Sequence, residues 1–448
     1  MKNLILKLKI EKIMTLGYFS KIPQRQLLYG YLSYILFGTI LLCLPFAQKQ
    51  YTGIIDNLFT ATSAVSTTGL ATISIADNYT LFGQIVVLIL VQLGGIGYMT
   101  ISSFIVLRIT KHFSPTENII LNTEFALPNG LTIHSLIKSI IFFTFIFELF
   151  GTIFLYFTFL SEGALQPLWK AIFHSVSAFC TAGFGLYNDS FEQFRFNPSI
   201  NIVLSVLSYA GGIGFIVLLD LYRVIRYKNY NITFTSKVIL SLTLILTVFG
   251  TLQLYISEPS ISNLDDYSKL EVSFFQSMSA LTTVGFNTIP ISKLHASSLM
   301  CLIILMFIGA SPSGTGGGVK STTFTAVWAF ILNKLSLTKE VSLIGNKIPE
   351  YRVKAALTTF IFYTTILFFG TYLLTFTESS TLMQLLFESA SAIGTVGLST
   401  GITGTLTDFG KLVIIFLMFV GRVGVVTFGN ALLIKYNKTI VKENDLAV

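Results

Sequence analysis

Four copies of one motif carry the residues whose types and spacing could do chemistry. The motif reads FTATSAVSTTGL at 59–70 and returns as FHSVSAFCTAGF, FQSMSALTTVGF and FESASAIGTVGL. Every copy has Ala, Thr and Gly at the same distances after an initial Phe: Phe59, Ala64, Thr67, Gly69; Phe173, Ala178, Thr181, Gly183; Phe275, Ala280, Thr283, Gly285; Phe387, Ala392, Thr395, Gly397. A ring of backbone carbonyl oxygens can replace the water shell of a cation. Four such segments around one axis therefore predict cation coordination.

Other chemistry finds little support in the sequence. Cys43, Cys180 and Cys301 lack CxxC spacing, so they indicate neither a zinc site nor a disulfide framework and are interpreted as apolar filler. The four histidines have no mutual metal spacing, and no pairing of a nucleophile with a base is visible: His112, His134, His174, His295. The sequence predicts no catalytic residue and no organic cofactor.

The elements around the motif must hold it inside a membrane. Each copy lies between two long apolar segments, which predicts eight spanning helices in four repeats: 26–110, 134–226, 236–334, 351–434. The part before Ala is too short to span and predicts a half-helix, followed by an extended strand that ends at Gly. Such a re-entrant segment is tolerated only where it is buried or lines a wet cavity. The predicted fold class is therefore an all-α integral membrane protein with helix–pore-loop–helix repeats around one pore. Four helix-packing motifs are the less favoured alternative, because packing alone does not require Thr and Gly at fixed places.

Composition agrees with a polytopic membrane protein. The 448 residues are 53% hydrophobic and 11% charged, with a mean hydropathy of +0.75 and a net charge of +8. Of the 29 Lys and Arg residues, 21 fall in segments on one side of the motif copies: the N-terminus, 108–138, 223–237, 334–354, 435–448. The positive-inside rule thus predicts a cytoplasmic N-terminus (1–25) and C-terminus (435–448), with the motifs at the outer surface. The charge is explained by orientation and does not indicate a nucleic-acid partner.

The third repeat is interrupted. A second repeated segment reads LGGIGY at 93–98 and AGGIGF at 210–215. Its counterparts in repeats 3 and 4 are LMFIGAS at 305–311 and LMFVGRVG at 417–424. After Gly309 the third repeat reads ASPSGTGGGVKSTTF, a polar stretch that begins near mid-membrane and predicts a mobile intramembrane loop over 310–320. A phosphate-binding P-loop is disfavoured, because Val319 separates the glycines from Lys320 and an apolar helix comes before.

Two charges are predicted inside the membrane. Arg422 follows the corresponding Gly of the fourth repeat, and its predicted partners are carbonyls and Ser hydroxyls of 310–318. A structural anchor is the alternative for it. Glu148, which no other repeat matches, is interpreted as structurally paired.

These features resemble the Trk/Ktr/HKT potassium-transporter superfamily, and in particular the membrane subunit of bacterial Ktr systems. The resemblance rests on the fourfold SA-x-x-T-x-G motif, the GGIG helices, the glycine-rich break and the late Arg. It implies a pseudo-fourfold potassium-channel-like fold, a homodimer in the bacterial plasma membrane, and a cytoplasmic ring of nucleotide-binding regulatory subunits of the RCK or KTN type. Potassium is the implied substrate, and the resemblance leaves open that sodium stimulates transport.

The resemblance also implies roles for individual positions. The selectivity filter would consist of Ser66, Thr67, Thr68, Gly69, Cys180, Thr181, Ala182, Gly183, Thr282, Thr283, Val284, Gly285, Gly394, Thr395, Val396 and Gly397. The gate would consist of Ala310, Ser311, Ser313, Gly314, Gly316, Gly317, Gly318, Lys320 and Arg422. In this family, the presence of all four filter glycines is associated with selectivity for potassium more than for sodium. A symporter or channel for sodium or ammonium, and a membrane enzyme, are the alternatives.

Overall fold

The computed structural model describes residues 23–97, 133–228, 230–336 and 340–433. Helices dominate, and one sequence of elements occurs four times: a first helix, a short helix and a second helix. The first helices are Pro23–Leu42, Ile133–Ser161, Phe234–Ser257 and Glu350–Leu374. The short helices are Ile54–Val65, Pro167–Phe179, Asp266–Thr282 and Leu382–Ile393. The second helices are Leu81–Ile96, Pro198–Gly212, Ala296–Phe307 and Asp408–Val423.

Smaller elements complete the chain. Further helices are Ile75–Asn78, Phe215–Arg226, Ser321–Leu335 and Val425–Leu433, and single 3-10 turns are Pro45–Ala47, Glu192–Phe194, Pro259–Ile261, Ile291–Lys293 and Thr403–Thr405. Two short antiparallel strands, Ser342–Leu343 and Asn346–Lys347, precede the last repeat, with Ser342 opposite Lys347.

Local sequence explains where several helices begin. The Asp265 side chain accepts from the Ser268 N–H at the start of the third short helix. Thr381 and Gln384 form a capping box at the start of the fourth short helix, so both satisfy N–H groups that have no partner within the helix. The Thr80 and Thr407 hydroxyls accept the Gly83 and Gly410 N–H groups at the starts of two second helices.

The four repeats pack in a closed cycle. Each short helix packs against the first helix of its own repeat and against the second helix of the preceding repeat, and the second helix of repeat 4 packs on the short helix of repeat 1. The four motif Phe side chains lie fully buried in this packing. By contrast, the first helices expose large apolar side chains such as Phe145 and Phe157, at 66% and 63%. That exposure suits a lipid environment, where an apolar outer face is not penalised.

The second helices differ from straight spans. Among the described residues, three helices are long and apolar enough to cross a membrane, and all three are first helices: Ile137–Ser161, Phe234–Ser257 and Glu350–Leu374. The second helices of repeats 2 and 4 bend by 100° and 98° and continue as separate helices. The bends lie at Gly214 and Gly424, both with φ of 88°, a left-handed conformation that favours glycine. The eight-span arrangement therefore remains a prediction.

Candidate cation pathway

The four short helices end with the same backbone hydrogen bonds. The motif Thr N–H donates to the motif Ala carbonyl three residues earlier, at 3.1 to 3.4 Å. The next N–H donates to the carbonyl of the Ser that precedes that Ala, at 2.8 to 3.1 Å. In repeats 1 and 4 this Ser also accepts the Gly N–H on its hydroxyl, at 3.0 Å. The same backbone turn therefore follows the short helix in all four repeats.

The turn is left-handed at Thr. The φ angles of Thr67, Thr181, Thr283 and Thr395 lie between 49° and 61°. A β-branched residue rarely adopts this conformation, so its occurrence in all four repeats marks strain of the kind found at functional sites. The predicted extended strand is therefore wrong at its first two residues. Ser66 and its counterparts in repeats 2 and 4 keep right-handed helical backbone, and in repeat 3 the helix itself runs to Thr282.

The four segments close a ring, and we call Ser66–Gly69, Cys180–Gly183, Thr282–Gly285 and Gly394–Gly397 the ring segments. The ring glycines have φ between 65° and 97°. A β-carbon on Gly69, Gly183, Gly285 or Gly397 would lie less than 3.0 Å from a backbone carbonyl oxygen of the next segment, that of Ala182, Val284, Val396 and Thr68 in turn. The fourth contact returns to the first segment. Only glycine allows this close approach, which is why each ring segment ends in it.

The loop of the third repeat lies against the ring. Thr67 Oγ1 donates to the Thr315 carbonyl at 3.3 Å, and the Thr181 and Thr315 hydroxyls are 3.0 Å apart. The Gly317 N–H donates to Thr283 Oγ1 at 3.2 Å. A β-carbon on Gly317 would meet Thr395 Oγ1 within 3.0 Å. The four motif threonines, one from each ring segment, therefore face this one loop.

The bent helix of repeat 2 fixes the loop. Because that helix breaks at Gly214, the carbonyls of Gly211 and Gly212 have no intrahelical partner, and they accept from the Thr315 and Ser311 N–H groups at 3.1 and 3.0 Å. On the other side of the break, the Phe215 N–H donates to the Ser313 carbonyl at 3.3 Å. These bonds satisfy backbone groups that lie away from bulk water.

Arg422 joins three parts of the site. Its guanidinium donates to the Thr315 carbonyl of the loop, to Thr67 Oγ1 of the ring at 3.0 Å, and to the Gly94 carbonyl of the first repeat's second helix. The predicted carbonyl partner is present, whereas no Ser hydroxyl of the loop accepts from Arg422 among the described contacts. The Lys320 ammonium donates to the Gly316 carbonyl within the loop at 2.6 Å.

Cavities lie on both sides of this assembly. One of about 310 Å³ is lined by all four ring glycines together with Thr72, Asn188 and Asn287. The other, of about 270 Å³, is lined by Gly316, Gly317 and Gly318 of the loop with Lys320 and Arg422. The ring and the loop therefore lie in series between two spaces.

Acidic groups lie beside the cavity on the ring's side. Asn188 donates to Asp77, and Asn287 donates to Glu192 at 2.9 Å. Burial raises the pKa of Glu192 above its ordinary value, and the charge of Asp189 adds to the effect. The carboxylates contact the cavity-lining amides, so they contribute negative potential at this mouth.

The second-helix glycines allow close packing behind the ring. A β-carbon on Gly94, Gly211 or Gly421 would clash with the carbonyl of the last residue of a short helix. Their counterpart Gly309 meets Gly317 of the loop instead. The break in the third repeat thus replaces one helix contact with a loop contact.

The cysteines, the histidines and Glu148 were also considered as candidates in the sequence. Cys180 belongs to the ring, and its thiol lies 3.8 Å from Glu148 and 3.7 Å from Gln92, so Glu148 sits behind the second ring segment. The described cysteines form no disulfide, and the described residues contain no metal-binding group of His, Cys, Asp and Glu. His112 and the termini 1–22 and 434–448 lie outside the described residues.

The sequence reasoning missed one set of residues. A polar residue follows the Phe of every motif copy, and all four are fully buried: Thr60, His174, Gln276, Glu388. Aligning the four copies gives the signal, since a polar side chain recurs directly after the Phe in all four.

Comparison with known proteins identifies the family. A family model described as TrkH, cation transport protein, matches residues 31–436. The chain belongs to the TrkH family of cation transport proteins. This confirms the resemblance, and because the family transports cations, the membrane-enzyme alternative is set aside.

Curated relatives cover nearly the whole length. The chain is 34% identical to the Ktr system potassium uptake protein B of Bacillus subtilis, over 91% of this chain and 92% of that protein. It is 35% identical to the potassium/sodium uptake protein NtpJ of Enterococcus hirae, over 93% and 94%. The crystal structure of the potassium transporter TrkH from Vibrio parahaemolyticus has a TM-score of 0.69 at 22% identity and covers 90% of this chain and 84% of that one. That structural likeness supports the fold of this TrkH-family protein.

Proposed function

We propose that this TrkH-family protein takes up potassium across the plasma membrane through a pore in which the ring segments form the selectivity filter. The observation that carries the proposal is the closed ring of glycine–carbonyl contacts between consecutive repeats. The Bacillus relative is named a potassium uptake protein and the Enterococcus relative a potassium/sodium uptake protein, and both names support potassium as a substrate.

The arrangement supplies the physics that a cation pathway needs. Carbonyl oxygens of the ring segments replace the water shell of the ion. All four short helices end at the ring, at Val65, Phe179, Thr282 and Ile393. The carboxyl end of a helix carries a partial negative charge, so four such ends stabilise a cation there.

The loop over 310–320 acts as the gate in this proposal. It lies between the ring and the second cavity, and Arg422 holds it through the Thr315 carbonyl. For ions to pass, the loop moves aside, and the hydrogen bonds of Arg422 favour the blocking position. Lys320 adds a second positive charge below the ring, which also disfavours cation passage in that position.

The gate is testable with Arg422→Ala. Charge-assisted hydrogen bonds contribute about 1.5–3 kcal/mol, so losing them shifts a two-state equilibrium by about tenfold or more. We expect higher basal rubidium flux into proteoliposomes with unchanged preference over sodium. The matched control is Arg352→Ala, because the Arg352 side chain donates only to the neighbouring Tyr351 among the described hydrogen bonds. Abolished flux in a normally inserted Arg422→Ala protein would make Arg422 a structural anchor.

The assembly is proposed as a homodimer with a cytoplasmic ring of nucleotide-binding subunits and cytoplasmic termini. Relatives named as proteins B and D of a Ktr system support a multicomponent arrangement. Sodium is proposed as an activator, and the name of the Enterococcus relative also supports a second candidate function, sodium transport.

Uptake by whole cells tests the substrate. A bacterium deficient in potassium transporters and carrying this gene is expected to grow at limiting potassium. Its rubidium uptake should be inhibited by potassium far more strongly than by sodium or ammonium. Equal inhibition by sodium would favour the second candidate, and no rescue despite membrane insertion would contradict the proposal.

A further inference from the structure

In repeats 2, 3 and 4 the polar residue after the motif Phe connects its short helix to the loop that leaves the ring. His174 Nε2 accepts from the Leu186 N–H at 3.1 Å, and Gln276 Nε2 donates to Thr288 Oγ1 at 3.1 Å. Both partners lie twelve residues after the polar residue. In repeat 1 the equivalent loop residue, Thr72, donates instead to Asp56 at 2.8 Å. Each ring segment is thus held on the side where the chain leaves it.

Glu388 makes the corresponding connection in repeat 4 with a carboxylate. Ser399 Oγ lies 3.1 and 3.0 Å from its two oxygens, and the Thr403 hydroxyl and the Thr400 N–H also donate to it. The side chain is fully buried, and in the described part of the chain no Lys, Arg or His pairs with it. A carboxylate in such a place depends on its hydrogen-bond donors, so Glu388 and the loop 399–403 hold each other in one arrangement.

The same helix also holds the ring segment. One turn after Glu388, Ser391 accepts the Val396 N–H on its carbonyl at 2.8 Å and the Gly397 N–H on its hydroxyl at 3.0 Å. Gly397 is the residue that meets Thr68 and closes the ring between repeats 4 and 1. The chain from Gly397 to Ser399 is only two residues long, so a shift of the loop is transmitted to that contact.

We infer that Glu388 is a positioning residue that sets the preference of the pore for potassium over sodium. The inference rests on the proposed filter function and assigns to one side chain the fixing of the fourth ring segment. Glutamine at this position would keep one acceptor oxygen and replace the other by an N–H₂ group, from which the Ser399 and Thr403 hydroxyls can rotate to accept but the Thr400 N–H cannot. The remaining bonds would lose their charge assistance, so the helix would hold the loop less firmly. The resulting freedom at Gly397 would let the ring fit the smaller sodium ion better.

The test measures rubidium uptake into proteoliposomes that contain the full chain, at several sodium concentrations. For Glu388→Gln we expect the half-inhibiting sodium concentration to fall by about fivefold and the KM for rubidium to rise, with the maximal rate retained. Glu378→Gln is the matched control. Glu378 also accepts from a threonine hydroxyl, that of Thr407 at 2.5 Å, but none of its described hydrogen-bond partners belongs to the short helix or to the loop 399–403. It should leave sodium inhibition unchanged.

A second variant removes the hydroxyl groups that donate to Glu388 and keeps the Glu388 carboxylate. The double substitution Ser399→Ala with Thr403→Val should shift sodium inhibition in the same direction, and it decides the question alone if Glu388→Gln does not insert. Gly285→Ala serves as the reference for the filter itself. If it changes sodium inhibition while the Glu388 and hydroxyl variants do not, the positioning role is overturned and the filter stands. If none of these variants changes it, the filter assignment is overturned as well.

Discussion

At the scale of single residues, the positions of the fourfold motif make the same kinds of contact in every repeat. Phe fills the packing between helices, Ala and Ser accept backbone N–H groups, and Gly makes room for a neighbouring carbonyl. Glycine's freedom is a property of the residue itself, so an unusual backbone conformation at the motif Gly could be predicted from the sequence. The left-handed Thr could not be predicted, since β-branched residues disfavour that conformation. Only the surrounding hydrogen bonds impose it.

Gly285→Ala tests the ring at this scale. The added β-carbon would meet the Val396 carbonyl, so the ring segment must move in addition to bearing the strain of a φ of 80°. Strain of this kind costs about 1–3 kcal/mol, and we expect rubidium preference over sodium to fall by about tenfold in flux assays. Gly163→Ala is the control, because Gly163 has a φ of 69° and open space around its β-position. Equal selectivity in both variants would contradict the ring contact.

At the scale of elements, some features of the second helices could be predicted from the sequence and others could not. Glycines in these helices permit close packing, and Gly94, Gly211 and Gly421 all lie against short-helix ends. Bends of about 100° were not predicted, because apolar composition on both sides of Gly214 and Gly424 is equally compatible with one straight span. The exchange of hydrogen bonds between the break and the loop depends on residues about 100 apart in sequence, which periodicity does not report.

Gly214→Ala and Gly424→Ala form a matched pair for the gate. Both glycines have a φ of 88°, so the backbone strain is the same. A β-carbon on Gly214 would meet the Pro312 carbonyl of the loop, whereas one on Gly424 has only Thr427 at 3.8 Å. We expect Gly214→Ala alone to displace the loop and raise basal rubidium flux by about tenfold. The same flux increase in both would show that the helix bend, not the loop contact, controls passage.

At the scale of the whole molecule, the cycle is closed by charged side chains on the fourth repeat's second helix. Lys411 pairs with Asp56 of the first short helix at 2.7 Å, and Arg422 reaches Thr67 and Gly94 of the same repeat. The fourfold plan could be predicted because the motif repeats four times. The glycine–carbonyl and Lys411–Asp56 contacts could not, because they join repeats that are distant in sequence.

Lys411→Met tests the closure between repeats 4 and 1. The side chains of Lys411 and Asp56 are only 13% and 19% exposed, so removing one partner leaves a charge that water solvates poorly. We expect a loss of about 2 kcal/mol of stability, measured as a lower unfolding temperature in detergent, with partial recovery in Lys411→Met with Asp56→Asn. Lys354→Met is the control, since its pair with Glu350 is exposed and contributes little. No difference between Lys411→Met and this control would contradict a structural role for the pair.

The central claim is that the ring coordinates the transported cation, and anomalous diffraction from crystals soaked in rubidium tests it most directly. The predicted result is a rubidium peak on the axis of the ring, within coordination distance of carbonyl oxygens from all four ring segments, and a weaker peak there in Gly285→Ala. The claim would be contradicted if crystals grown from transport-competent protein showed rubidium elsewhere in the protein and none at the ring.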